Sequence, residues 1–157
     1  MTISTTLKQY LDQQQVELEL IPHPHTSNSM DTAQQAHVSG NNLAKAVIVK
    51  DDDHYAMVVI PSVEHVDFAV LREQFGQGVE LATESELGEL FPDCETGAVP
   101  PIGDAWGMDA YLDYCFKADQ EAVYFEAGDH DSLVRVTGEQ FHRLMGNARR
   151  GYFGHTI

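Results

Sequence analysis

The chain has 157 residues, of which 43% are hydrophobic, and this combination is typical of one globular domain with its own core. Its 25 acidic and 9 basic residues give a formal net charge of −16, which excludes a protein that wraps nucleic acid on a broad basic face. Its apolar runs are too short to span a bilayer and its first residues lack a signal-peptide pattern, so we expect a cytoplasmic protein.

The first half of the chain alternates between patterns typical of helices and of strands. Apolar residues at i, i+4, i+7 and i+8 predict an amphipathic helix over residues 2–14, and alternation of apolar with acidic residues predicts a half-buried strand over 16–21. A short helix is predicted near residues 30–38. Two runs rich in β-formers, 44–50 and 55–60, are joined by three aspartates and a histidine, which indicates a β-hairpin.

The second half continues with helical and strand-like segments and ends without a pattern. Apolar spacing predicts a helix over 65–75, with Ala69 among its inward residues. Thr83 and Glu86 match a capping box at the start of a helix that ends near Leu90. The other predicted elements are strands over 79–82, 108–114, 122–126 and 132–136 and a helix over 138–146. The residues from 146 to 157 show no periodicity, and we expect them to form a loose tail.

This order of elements predicts the fold class. Helices and strands are interspersed, and the hairpin-like connections indicate antiparallel pairing within the sheet. We therefore predict a mixed α/β fold in which residues 1–157 form a single domain, with a curved, barrel-like mixed sheet surrounded by helices.

Lys45 opens one of the apolar runs and is the first candidate for chemistry. On strand alternation it shares a face with Val47 and Val49. A lysine at the mouth of an apolar face is partly desolvated, which strengthens its attraction for an anion or a carbonyl oxygen. The alternative is a lysine at a strand end whose stem packs on the sheet while its ammonium reaches water.

A stiff loop over residues 97–103 could supply hydrogen-bond donors to the same carbonyl group. The loop consists of Gly97, Ala98, Val99, Pro100, Pro101, Ile102 and Gly103. Its prolines fix the backbone, and Gly97 permits close approach of a ligand or a positive φ. Pre-set backbone N–H groups are what a developing oxyanion requires. The alternative is a proline-stiffened connection between two elements with no role in chemistry.

His130 follows Gly128 in a turn after a predicted strand and is the third candidate. Its imidazole could hydrogen-bond a substrate or polarise water near neutral pH. It could equally bond to its own backbone, as side chains in turns often do.

Other catalytic motifs are missing from the sequence. The run His23-Pro24-His25 lacks the i, i+4 spacing of a helical zinc site, and no Cys/His cluster has zinc spacing. No nucleophile elbow or phosphate-binding glycine motif occurs. The candidates therefore favour acyl transfer or ester hydrolysis, with no metal and no cofactor.

Several segments agree with one known family in order and approximate spacing, from about residue 16 to residue 146. The matching segments are 23–36, 43–45 before a hydrophobic strand, 55–61, 81–87, 91–103 and 123–128. Together they resemble the YbaK/EbsC family of aminoacyl-tRNA deacylases, also called the prolyl-tRNA synthetase-associated domain. Each segment alone is a weak signal, and their combination is fairly specific.

The resemblance implies a fold, an activity and a set of site residues. It implies an enzyme that hydrolyses the ester between a mischarged amino acid and the 3′ end of a tRNA. Lys45 would be the required lysine, and the backbone N–H groups of Gly97 and Ala98 would bind the oxyanion. The substrate would be surrounded by Met30 in the side-chain pocket and by Ala46, Val99, Pro100, Pro101, Ile102, Gly103, Gly128 and His130.

Two features depart from what the resemblance implies. Ala46 stands where many members of the family have threonine, so one polar contact is missing. The net charge of −16 is unfavourable for an unaided tRNA binder, so a synthetase or an elongation factor could present the RNA. The alternatives are a non-catalytic module that binds an amino-acid-like ligand and a hydrolase of another small ester or thioester.

Overall fold

The computed structural model describes residues 3–16, 18–25, 32–34, 36–95, 97–146 and 148–156. The helices are α1 (Thr5–Gln13), α2 (Phe68–Phe75), α3 (Glu84–Leu90) and α4 (Gly138–Met145), with a 3-10 helix at Gly103–Trp106 and helical residues at 32–34. The strands of the first half are β1 (Glu19–Pro22), β2 (Leu43–Asp51), β3 (His54–Pro61), β4 (Glu64–Val66) and β5 (Glu80–Leu81). Those of the second half are β6 (Asp109–Asp113), β7 (Val123–Glu126), β8 (Ser132–Val136), β9 (Arg149–Gly151) and β10 (Gly154–Thr156).

The predicted hairpin is confirmed and forms the middle of the main sheet. Strands β2 and β3 pair antiparallel from Ala44 opposite Pro61 to Asp51 opposite His54. Asp52 turns the chain with a φ of 54°, a left-handed conformation that aspartate tolerates better than most residues. The strand order is β1-β8-β7-β2-β3-β6-β9, and β5 also pairs with β2. Because β2–β7, β3–β6 and β6–β9 are parallel pairs, the predicted mixed sheet is confirmed.

Apolar side chains cover both faces of this sheet. Successive residues of a strand point to opposite faces, and β3 is apolar at consecutive positions, so it needs a core on each side. Met57 and Val59 belong to the larger core cluster, and Val58 and Ile60 belong to the second. The larger cluster receives Leu7 and Leu11 from α1, Phe141 and Leu144 from α4, and Val99 and Ile102 from the 97–103 loop. The second receives Leu71 from α2 and Phe153 from the C-terminal residues. A sheet buried on both faces by helices and loops is the stable solution for such a strand pattern.

The helix predicted over 65–75 begins later than expected. Residues 64–66 form β4, and α2 begins at Phe68 after the N-cap Asp67, whose side chain accepts a hydrogen bond from the Ala69 N–H at 3.0 Å. The side of α2 that faces the core includes Phe68, Leu71 and Phe75, at i, i+3 and i+7, and Ala69 lies off this stripe. Leu71 is fully buried while Ala69 is exposed, so the prediction that Ala69 faces inward is wrong.

The prediction of a loose C-terminal tail is also wrong. Strand β9 pairs parallel with β6, and β10 pairs antiparallel with β4. Phe153, between the two strands, is buried, and its N–H donates to Asp113 at 3.0 Å. Strands of three residues are too short to show a period in the sequence, which is why the pattern gave no sign of them.

Glu86 ties helix α3 to the central hairpin. The capping box is confirmed: the Glu86 N–H donates to Thr83 Oγ1 at 3.1 Å, and the Thr83 N–H donates to the Glu86 carboxylate at 2.9 Å. Lys50 Nζ, at 2.7 Å, and the Tyr55 hydroxyl donate to the same carboxylate. These hydrogen bonds, that of Lys50 first, lower the pKa of Glu86 to about 2.

We expect this carboxylate to make stability depend on pH in the acid range. The folded pKa of about 2 lies below the ordinary value of 4.5, so the contribution is complete above pH 4.5 and is lost as the pH falls towards 2. Urea unfolding at a series of pH values should show wild type losing stability faster than Glu86→Gln over this interval. Glu84→Gln, in the same helical turn, is the matched control and should follow wild type. Parallel curves for wild type and Glu86→Gln would show that the network contributes nothing.

Candidate active site

Lys45 is a half-buried cation near the start of β2. It lies opposite Ile60 of β3 and on the same face as Val47 and Val49, as the sequence predicted. Its ammonium donates a hydrogen bond to the Ser62 carbonyl at 3.4 Å. Burial lowers the pKa of Lys45, and the charge of Glu64 acts in the opposite direction. The hydrogen-bond partner is neutral, so the positive charge can still act on another group.

The 97–103 loop turns tightly at its start and buries most of its length. Gly97 is exposed with a φ of 81°, the left-handed conformation that glycine adopts without strain, and residues 98–103 are buried. The Ala98 N–H donates to the Glu95 carbonyl at 3.0 Å. It would have to release this bond before it could bind an oxyanion. Val99 and Ile102 extend into the larger core cluster, on the sheet face opposite to that of Lys45.

The turn after β7 connects this loop to the strand beside Lys45. Strands β7 and β2 are parallel, and their last paired residues are Phe125 and Ala44. The next residues along the two strands are Glu126 and Lys45, which therefore lie on neighbouring strands at the same level. Two residues further, the Gly128 carbonyl accepts a hydrogen bond from the Glu95 N–H at 2.7 Å. Gly128 has a φ of 128° and packs so closely on Ser4 that a Cβ atom there would lie 3.0 Å from the Ser4 Cβ.

Glu126 is a buried carboxylate held between two buried histidines. It is 4% exposed, and its Oε2 lies 2.7 Å from Nδ1 of His130, while its Oε1 lies 3.5 Å from Nε2 of His23. His130 is 1% exposed and has a φ of 61°. A non-glycine residue keeps such a conformation only where its surroundings hold it. The Glu126 oxygens make no hydrogen bond of good geometry with a described residue, so the carboxylate restricts the His130 imidazole through close contact at 2.7 Å.

His25 forms the exposed edge of this cluster. Its ring nitrogens lie 2.7 Å from Asp131 and 3.1 Å from Glu95, and its ring meets that of His130 edge-on at 6.0 Å. The hydrogen bond with Asp131 raises the pKa of His25 above its ordinary value. One imidazole thus joins the turn after β7 to the residues that precede Gly97.

The predicted site residues fall into two groups. Gly128, His130 and the start of the 97–103 loop are joined by the contacts of Glu95 and His25. Lys45 lies on the neighbouring strand, and its described hydrogen bond goes to Ser62 rather than to the loop. Ala46, the next residue, is half-buried against the larger cluster, on the other face of the sheet. Met30 lies outside the described residues.

Within the described residues, no three His, Cys, Asp or Glu side chains are arranged to hold a metal ion. No helix in the described part of the chain is long and apolar enough to cross a membrane.

The fold places the chain in a class of α/β domains with solved members. Hypothetical protein APE2540 superposes with a TM-score of 0.82 at 21% identity, over 96% of this chain and 99% of that one. A structure described as a proposed trans-editing enzyme for prolyl tRNA synthetase gives a TM-score of 0.80 at 20% identity, over 97% of this chain and 96% of that one. At these identities the likeness shows the fold, and it confirms the predicted fold class.

Sequence comparison gives the family. The model of the aminoacyl-tRNA editing domain matches residues 23–144, so the chain belongs to that family, which confirms the resemblance. The proline–tRNA ligase of Bacillus subtilis (strain 168) is 29% identical over 121 residues, which are 76% of this chain and 21% of the ligase. Proline–tRNA ligase 1 of Bacillus thuringiensis subsp. konkukian (strain 97-27) is 23% identical over 123 residues, 73% of this chain and 22% of the ligase. The chain thus spans about a fifth of the length of these relatives.

Proposed function

We propose that the protein is a trans-acting hydrolase that removes the amino acid from mischarged aminoacyl-tRNA. The observation that carries this proposal is the half-buried Lys45 ammonium, whose partner is a carbonyl group, in a chain of the editing-domain family. Such a cation attracts the developing negative charge of an ester under attack more strongly than an exposed lysine does.

The reaction needs positioning and charge stabilisation more than it needs a reactive protein nucleophile. Water attacks the ester carbonyl, and the resulting oxyanion is bound by Lys45. The resemblance also assigns it the N–H groups of Gly97 and Ala98, and because Val99 and Ile102 of that loop pack on the sheet face opposite to Lys45, those donors would have to move towards Lys45 to reach the same oxyanion. The C–O bond to the terminal ribose then breaks, the ribose oxygen takes the proton that the water has lost, and a free amino acid leaves. The proton transfer would use water or a hydroxyl group of the substrate, because the ester is already activated relative to an amide.

The remaining candidates would shape the pocket around the amino acid. His130, restricted by Glu126, and Gly128 would lie on one side, with the 97–103 loop beside them. The resemblance assigns Met30 and Ala46 to the substrate as well. A synthetase or an elongation factor could present the tRNA, since a protein of charge −16 attracts RNA weakly on its own.

A panel of mischarged tRNAs tests the proposal. Each is incubated with wild type or with Lys45→Ala, and loss of the ester is followed with time. At least one substrate should be hydrolysed much faster by wild type. If every substrate reacts equally with both proteins, the proposal fails. Stabilisation by an amino-acid-like ligand without turnover would instead indicate a binding module. Turnover of small esters that is indifferent to salt would indicate a hydrolase that does not need RNA.

A further inference from the structure

Two exposed tyrosines form an aromatic surface near the C-terminal end of β6. Tyr114 is 46% exposed and Tyr152 is 72% exposed, and their ring centroids lie 5.1 Å apart with the planes tilted by 54°. The Tyr114 N–H donates to the Gly151 carbonyl at 2.9 Å, so the backbone holds the two residues side by side. We call this pair the tyrosine surface. Because the two rings are adjacent, they form a contiguous aromatic patch, which is the kind of exposed apolar surface that marks an interaction site.

A rigid cation lies against the tyrosine surface. The Arg150 guanidinium lies 5.2 Å from the centroid of the Tyr114 ring. It donates to the carbonyl oxygens of Leu112 at 3.3 Å and Phe116 at 2.8 Å. A third bond goes to the Asp113 carbonyl at 3.4 Å, and another nitrogen lies 3.2 Å from Nδ1 of His142. These neutral partners fix the guanidinium without cancelling its charge.

Basic and acidic side chains are mixed at this end of the molecule: Lys117 lines one cavity with Glu64 and Asp119, and Arg149 lines another with Asp104 and Asp109. In the described part of the chain, the lysines that pair with carboxylates within 4.0 Å are Lys8 and Lys50. Arg149, Arg150 and Lys117 make no such pair with a described residue, although the chain has 25 acidic residues. Arg150 is the cation that lies beside the exposed rings, and a cation next to stacked aromatic rings is a combination that single-stranded nucleic acids bind.

A cavity is lined by residues close in sequence to Tyr114 and by residues close to Ser62, the hydrogen-bond partner of Lys45. Its volume is about 410 Å³, which falls in the range of pockets that hold small ligands. Cys115, which follows Tyr114, and Lys117 line one part of it, and Pro61 and Glu64 line another. Pro61 and Glu64 flank Ser62, whose carbonyl binds the Lys45 ammonium, and the charge of Glu64 acts on Lys45. The lining thus includes sequence neighbours of Tyr114 and of Ser62, although neither tyrosine nor Lys45 is among the lining residues.

We propose that the tyrosine surface stacks an unpaired base of the RNA 3′ end, and that the cavity receives the nucleotide that follows. This inference rests on the proposed function, because a deacylase has to direct the terminal ribose towards Lys45. Stacking suits this protein, since a base is uncharged and its affinity for a ring survives an acidic surface. The side-chain amide of Asn42, whose oxygen accepts a hydrogen bond from Gln120 at 2.9 Å in the cavity wall, offers its nitrogen to a base edge. The carboxylates of Glu64 and Asp119 in the same wall disfavour a phosphate there, so the phosphates would follow Arg150 outside the cavity.

Binding of a short single-stranded RNA that ends in unpaired CCA tests the inference. The probe carries no amino acid, and its affinity is measured by fluorescence anisotropy. Tyr152→Ala should weaken binding about tenfold, because one base loses its stacking partner. Tyr152→Phe keeps the ring and should bind within about twofold of wild type. Leu81→Ala, which removes a side chain 49% exposed on β5, is the matched control and should change nothing. Each contacted phosphate of a single strand lowers the logarithm of the binding constant by about 0.7 for each tenfold rise in salt. Because stacking dominates here, the measured slope should be shallower than several such contacts would give.

The outcomes separate this inference from the proposed function. If wild type does not bind the probe, or if Tyr152→Ala binds it as well as wild type does, the inference is overturned. A fully paired duplex that competes equally with the probe would overturn it too. Tyrosine-dependent binding by a protein that hydrolyses no mischarged tRNA would uphold the surface and reject the enzyme. Hydrolysis whose KM is unchanged in Tyr152→Ala would do the reverse.

Discussion

Replacing Lys45 with methionine should reduce the rate of aminoacyl-ester hydrolysis by about 100-fold or more, because loss of one oxyanion donor typically costs that much. Methionine keeps an unbranched stem of similar length against Val47 and Val49, so packing on the sheet is retained. The free energy of unfolding should not fall, since burial of the ammonium is itself unfavourable and its hydrogen bond to Ser62 is long, at 3.4 Å. Single-turnover hydrolysis and urea unfolding of the same preparation measure the two effects.

The pH dependence of the same site distinguishes a charge effect from a packing effect. Burial lowers the pKa of Lys45, so wild-type activity should decline at a lower pH than an ordinary lysine would give. Arginine keeps its charge at high pH, so the activity of Lys45→Arg should not show that decline. The absolute rate of this variant depends on how well the guanidinium fits the site. The free energy of unfolding should change in the opposite direction to activity. Between the lowered pKa of the folded state and the ordinary pKa, the folded state binds fewer protons than the unfolded state, so the free energy of unfolding rises with pH there. Wild-type activity in Lys45→Met would remove Lys45 from the mechanism.

Local signals made much of the fold predictable. The hairpin of β2 and β3, the capping box at Thr83 and the helix that contains Phe141 depend on residues close in sequence, and each lies near its predicted position. The sequence predicts too early a start for helix α2, because Val66 fits both a helical period and the edge of β4. Strands β9 and β10 exist only through pairing with distant strands, which no local pattern records.

The sequence predicts those parts of the candidate site whose residues form one continuous run. It does not predict the parts that strand pairing brings together from distant segments. Lys45 and the 97–103 loop stand out as runs of sequence, and their roles stay predictions. Glu126 and His23 carried no such signal. They meet because β1 pairs with β8, with Pro22 opposite Ser132, and β8 pairs with β7. The register of these pairs brings His23 to the carboxylate, and a period in one segment cannot reveal a contact across three strands.

Removal of the Glu126 carboxylate should destabilise the fold. Its oxygens face His130 at 2.7 Å and His23 at 3.5 Å, and all three side chains are buried. Glu126→Ala would leave two imidazoles facing an apolar cavity, and removal of one partner from such a buried group costs about 3 kcal/mol or more. For a chain of this length that corresponds to a fall in Tm of roughly 6–12 °C.

Two companion variants show whether the loss comes from the buried contact. Glu126→Gln keeps the shape and one acceptor, so it should destabilise the protein less than Glu126→Ala. Glu89→Ala, on the exposed side of α3, should stay within about 0.5 kcal/mol of wild type. Glu126→Ala unfolding within that same margin would mean that the histidines need no carboxylate. His130 would then keep its left-handed backbone without it, and the restraint on its imidazole would have to come from elsewhere in the turn.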